Sequence, residues 1–101
     1  MLRKIEYHPS AKLEIQESAK WYDDRMTGLG FEFLLEVKSA ESKILKNPHT
    51  WPNYEEGTKH FLLKRFPYAI IYLVTEERIQ IIAVAHCKRQ PGYWKKRTKD
   101  N

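Results

Sequence analysis

A chain of 101 residues, 42% hydrophobic and 13% aromatic, is long enough for one compact core and too short for two ordinary domains. No stretch approaches the ~18 apolar residues of a membrane span, the opening MLRKIEYHPS lacks the apolar middle of a secretory signal, and the sole cysteine, Cys87, excludes an internal disulfide and a cysteine-based zinc cluster. The net charge of +5 is polarised: residues 1–57 hold eight Lys+Arg against ten Asp+Glu (net −2), residues 58–101 ten against three (net +7). A cytoplasmic protein without membrane contact, and with an anionic partner for its C-terminal half, is expected.

Residues 3–8 (RKIEYH) alternate weakly and read as a short edge strand. Pro9-Ser10 then reads as a helix start, with serine as cap. Across residues 11–25, Ala11, Ile15, Ala19 and Tyr22 make one helical stripe, while Lys12, Glu14, Gln16, Glu17 and Lys20 are expected to face water. Gly28 and Gly30 interrupt the pattern and predict a tight connection that ends this helix. A second helix is predicted over residues 31–46, with Phe33, Val37, Ala40 and Ile44 as its stripe and Leu34 and Leu45 widening it. Asn47-Pro48 ends it. Together the two predict an αα-hairpin with one shared apolar side.

Residues 49–58 form a loop by their Pro, Asn and Gly content, with Trp51 and Tyr54 as anchors. Three β-rich runs follow, HFLLKR, FPYAIIYLV and RIQIIAVAH, joined by short connections. The strands over residues 68–75 and 79–87 are apolar on both faces, which places them centrally in a sheet. One face meets the hairpin; the other needs a cover, either the basic tail CKRQPGYWKKR, whose Tyr93-Trp94 are suited to it, or a partner. Cys87 reads as a buried strand cysteine. The predicted fold is α+β, β-α-α-β-β-β, with an N-terminal strand and helical hairpin packed on a small antiparallel sheet, residues 1–101 forming a single domain.

Metal and cofactor chemistry has no support. The four histidines lack ligand spacing, and no His-Glu-x-x-His motif, glycine-rich phosphate loop or Gly-x-Ser-x-Gly elbow occurs.

WYDDRMTGLGFEFLLEV, LLKRFPYAIIYLV and IIAVAHCKRQPGYWKKR, in that order and spacing, resemble the RelE/ParE superfamily of toxins from type II toxin–antitoxin modules. They are most similar to its ParE-like plasmid stabilisation branch. The resemblance covers essentially the whole chain, and its most specific parts are the RFPY run and the ending His86, Lys88, Arg89, Pro91, Tyr93, Trp94. It implies a cognate antitoxin as partner, in a toxin–antitoxin hetero-oligomer. It also implies one of two targets: DNA gyrase for the ParE-like branch, or the ribosome and its mRNA for the RelE-like endonucleases. A third reading is a member that only binds its antitoxin.

Cutting RNA through its own 2′-OH needs a base, cations for the phosphate and an acid at the leaving oxygen. The resemblance implies lysines on the first meander strand, an arginine opening the next, and an arginine and tyrosine near the C-terminus. Arg89 falls at the C-terminal arginine, with Tyr93 near the tyrosine's place; Ala69 stands where the strand-opening arginine belongs, and His60 and Leu62 where lysines do. The candidate catalytic set is therefore Arg89, Tyr93, His86 and Lys64, His86 being an imidazole, a side chain able to serve as acid or base. Lys59, His60, Arg65, Lys88, Trp94, Lys95, Lys96 and Arg97 are the candidates for partner or nucleic-acid contact.

Overall fold

Strand, helical hairpin and meander follow one another as expected in a computed structural model that describes residues 3–99. The elements are β1 (Lys4–Tyr7), α1 (Pro9–Arg25), α2 (Leu29–Lys46), β2 (Lys59–Leu62), β3 (Tyr68–Val74) and β4 (Arg78–His86), with short 3-10 turns at Glu55–Gly57 and Lys95–Lys99. Met1 and Leu2, part of the opening read above for a secretory signal, and Asp100, counted in the charge of the C-terminal half, lie outside the described residues.

The sheet order is β1-β4-β3-β2. β2, β3 and β4 form the antiparallel meander, but β1 runs parallel to β4, from Lys4 opposite Arg78 to Tyr7 opposite Ile81. The sheet is thus mixed, where an antiparallel one was expected. The reason is topological. Hairpin and meander together separate β1 from β4, so no tight turn dictates their relative direction, and hydrophobic alternation is blind to it.

Helix α1 starts at Pro9, two residues earlier than the stripe suggested. His8, not Ser10, is its cap: the Ser10 N–H donates to His8 Nδ1 at 3.1 Å, and Pro9 occupies the first turn. At the other end the helix closes through Met26, whose N–H reaches Tyr22 O, without help from a glycine. Gly28, at φ 92°, instead caps the start of α2, and Gly30 lies inside that helix. One Asp23 oxygen ties the connection together, accepting from Gly28 N at 2.9 Å and Gly30 N at 3.3 Å.

The helical stripe was legible: Phe33, Val37, Ala40 and Ile44 are buried, against Tyr68, Ile70, Tyr72, Ile79, Ile81 and Val84 of the sheet. Leu45 packs against this core, but Leu34 is 42% exposed and does not widen the stripe. Tyr22, Phe33, Phe66 and Tyr68 interlock edge to face, with Phe33–Phe66 and Phe33–Tyr68 centroids 5.2 and 5.0 Å apart. On the opposite face Ile71, Ile82 and Ala83 lie under Trp94, which is 2% exposed. The tail therefore covers the second face, as the sequence predicts. No helix among the described residues is long and apolar enough to cross a membrane.

Tyr72 sits at the centre of the core, fully buried, its hydroxyl donating to Pro48 O at 2.8 Å. Burial pushes its phenol up to about 12 from the ordinary 10. The folded protein thus keeps a proton that the unfolded chain releases near pH 10, so this contribution to stability is intact below pH 10 and is lost as pH rises towards 12. Urea unfolding at pH 9 and pH 11.5 is expected to show a loss of about 2 kcal/mol traceable to this residue. Tyr72→Phe should remove that part of the pH dependence.

Candidate functional site

The C-terminal segment is organised by Glu14. This carboxylate was expected to face water, yet its side chain is only 11% exposed. It lies where α1 crosses β4, just beyond the last β1 pair, and takes over from the missing strand neighbour: Val84 N donates to its Oε1 at 3.0 Å. Tyr93 OH donates to Oε2 at 2.6 Å. Arg97 binds both oxygens, Nη1 to Oε1 at 3.1 Å and Nη2 to Oε2 at 2.9 Å, and its Nη1 also reaches Ile82 O at 3.2 Å. Glu14 and Arg97 thereby satisfy β4 backbone groups that β1 is too short to reach.

Arg89 is the outlying member of this cluster. Its Nη1 is 4.0 Å from Glu14 Oε2, and its side chain is 55% exposed. The guanidinium stacks 4.0 Å from the centre of the Tyr93 ring, while Arg97 approaches that ring to 5.1 Å. Two guanidinium charges thus share one carboxylate, and the unneutralised one stands on the solvent side at Arg89. Burial, reinforced by the bond to Glu14, raises the Tyr93 phenol far above its ordinary value.

Beside this cluster is a cavity of about 180 Å³ over the second face, whose walls include Tyr54, His60, Leu62, Ala69, Cys87 and Arg89. The Tyr54 ring packs on His60 at 4.6 Å and on Trp94 at 5.8 Å, so the loop over residues 49–58 and the tail close the cavity together. Trp51, the loop's other anchor, packs on Phe61 across the helix-side face. Lys95 joins loop to tail through Glu55 at 2.6 Å. The His60 Nδ1 is buried without a hydrogen-bond partner in the protein. His86 also lines the cavity, its Nδ1 accepting from Lys88 N at 3.0 Å. Cys87, expected inside a strand, is exposed one residue past β4.

The structure divides the sequence-predicted residues between two sides of the sheet. His60, His86, Arg89, Tyr93 and Trp94 gather at the cavity. Lys59, Lys64 and Arg65 do not. Strand alternation turns Lys59 away from His60, and its Nζ is held by Trp51 O at 3.2 Å and Asn53 Oδ1 at 2.7 Å. Lys64 and Arg65 sit with Phe61 against α2, where Glu36 accepts both their backbone N–H groups and Glu32 pairs with the Arg65 guanidinium. In the tail, Lys88 and Lys96 are exposed, Lys95 pairs at the surface with Glu55, and Arg97 is committed to the largely buried Glu14. The positive charge of the C-terminal half is thus not gathered into one patch at the cavity. Arg89 is the one lysine or arginine among the residues lining the cavity.

No protein-family model matches the chain. Among curated proteins it is 25% identical over 93 residues to Toxin ParE2 of Mycobacterium tuberculosis, an alignment covering 91% of this chain and 89% of that one. Its fold matches a chain of the chromosomal ParDE TA system of P. aeruginosa at a TM-score of 0.76, with 12% identity, 86% of this chain covered and 98% of that one. The chain is thus similar in sequence to a ParE toxin and has the fold of a ParDE-system chain. A chain of the E. coli DinJ-YafQ toxin-antitoxin complex shows the same fold, at a TM-score of 0.63 and 14% identity over 85% of this chain and 93% of the other. In the present chain Ala69 and Leu62 put aliphatic groups on the cavity wall, and the Tyr93 hydroxyl donates its hydrogen bond to Glu14.

Proposed function

We propose that this protein is the toxin of a type II toxin–antitoxin module, held inactive by a cognate antitoxin, and that it acts by binding DNA gyrase. The observation that carries the binding reading is the commitment of the Tyr93 phenol and the Arg97 guanidinium to Glu14, which leaves Arg89 as the cavity's single strong cation. Each missing preorganised donor lowers the rate of such a cleavage roughly 10²–10³-fold. A surface with one fixed arginine, exposed Lys88 and Lys96 and aromatic walls suits recognition of an anionic macromolecule better than phosphodiester cleavage. For the antitoxin, Phe31, Leu34 and Leu35 offer exposed apolar side chains on one face of α2, at 64%, 42% and 53% exposure.

Purified gyrase should lose its supercoiling activity in the presence of the protein. Intact supercoiling together with cuts in translated mRNA would reverse the assignment to a ribosome-dependent endonuclease, the second reading, which the two imidazoles of His60 and His86 in one cavity favour. Arg89→Ala should fold normally and lower growth-arrest potency roughly tenfold or more, the equivalent of losing ~1.4 kcal/mol of charge-assisted contact. Unchanged potency would remove Arg89 from the contact surface.

A further inference from the structure

We infer that Glu14 is a positioning residue: through one buried carboxylate it fixes Tyr93 and Arg97, and through the Tyr93 ring it holds Arg89 in a single place at the mouth of the cavity. The inference rests on the reading that this surface meets the target. Its geometry is independent of that reading. The carboxylate accepts from four donors, on Val84, Tyr93 and twice on Arg97, so it is saturated and the three elements it joins are locked together. The Arg89 guanidinium stays 4.0 Å from this carboxylate, farther than any of those donors. What orders it is the ring it stacks on, and that ring is oriented by the bond of its hydroxyl to Glu14. A guanidinium prevented from wandering loses less conformational freedom when it meets an oxyanion, which favours planar, bidentate recognition of a carboxylate or phosphate.

The test uses the full-length protein and three variants, Glu14→Gln, Tyr93→Phe and Arg89→Ala. Glu14→Gln keeps the side-chain shape and removes the charge; Tyr93→Phe keeps the ion pair with Arg97 and removes only the link to the ring. Hydrogen exchange is read at the Lys95 and Arg97 amides, which donate to Gly92 O and Trp94 O, and at the arginine Nε–H groups. Glu14→Gln should accelerate exchange at these sites by about tenfold or more while β3 amides change less than about twofold. Both Glu14→Gln and Tyr93→Phe should lower growth-arrest potency, and combining either with Arg89→Ala should make it no weaker than Arg89→Ala alone. Unchanged exchange in the tail, equal acceleration in β3, or potency losses that multiply in the double variants would each overturn the inference. If the unmodified protein fails to arrest growth, the toxin reading falls, and the exchange data decide the positioning role by themselves.

Discussion

Glu14→Ala is expected to cost about 3 kcal/mol, near the lower end of what breaking a buried ion pair costs, and to lower the melting temperature by roughly 12–24 °C. The effect is large because the two partners are not equal losers. Alanine removes an anion but leaves Arg97, with a side chain only 16% exposed, against the β4 edge with no counter-charge. It also strips the acceptor from Val84 N and from the Tyr93 hydroxyl, and an unsatisfied buried donor costs more than a made bond contributes. Replacing both ends of the pair, as in Glu14→Leu with Arg97→Met, should recover part of the loss because no lone charge remains. Recovery stays partial, since the Val84 N–H and the Ile82 carbonyl still lack partners. Calorimetry of the three proteins checks this, and a Glu14→Ala midpoint within a few degrees of the parent would contradict it.

Gly30→Ala should be the most damaging conservative change in the hairpin, at about 3 kcal/mol by urea unfolding. Alanine is the better helix former by up to about 1 kcal/mol, so propensity alone predicts stabilisation. Sterics decide otherwise. A Cβ at Gly30 would stand 2.4 Å from the Ala19 carbonyl oxygen and 3.0 Å from Asp23 Cβ. The nearer obstacle is backbone and cannot rotate away, so α2 must move off α1 and disturb the Asp23 bonds to Gly28 and Gly30. Gly28 provides the contrast. Nothing lies within 4 Å of a Cβ there, and only its φ of +92° opposes a side chain. Gly28→Ala should cost about 1 kcal/mol, through backbone strain alone. Equal losses at the two glycines would show that the hairpin contact is looser than described.

Those glycines also mark where sequence reasoning stopped. A Gly-x-Gly break between two amphipathic runs announces a connection, but does not say which glycine turns the chain and which admits a neighbouring helix. Burial at Phe33, Val37, Ala40 and Ile44 followed directly from 3.6-residue spacing, because one face of α2 meets the sheet. Glu14 is legible in the same way. It stands three residues after Ala11 and four before Ser18, on the edge of the buried stripe, and its charge alone suggested solvent. A carboxylate on a buried stripe calls for a search for a cationic partner elsewhere in the chain. Lys59, Lys64 and Arg65 show the converse limit, since proximity in sequence says nothing about side when strand alternation and a turn separate them from the cavity. Cys87 follows His86, the last residue of β4, so the apolar run continues one position beyond the strand and the thiol is exposed.

The β1–β4 pairing and the bond between Glu14 and Arg97 join opposite ends of the chain, the latter across 83 positions. During synthesis the hairpin emerges first and the residues that anchor the tail last. Contacts of such long sequence separation close late in folding, so the C-terminal wall of the cavity takes shape only once α1 and β4 are in place.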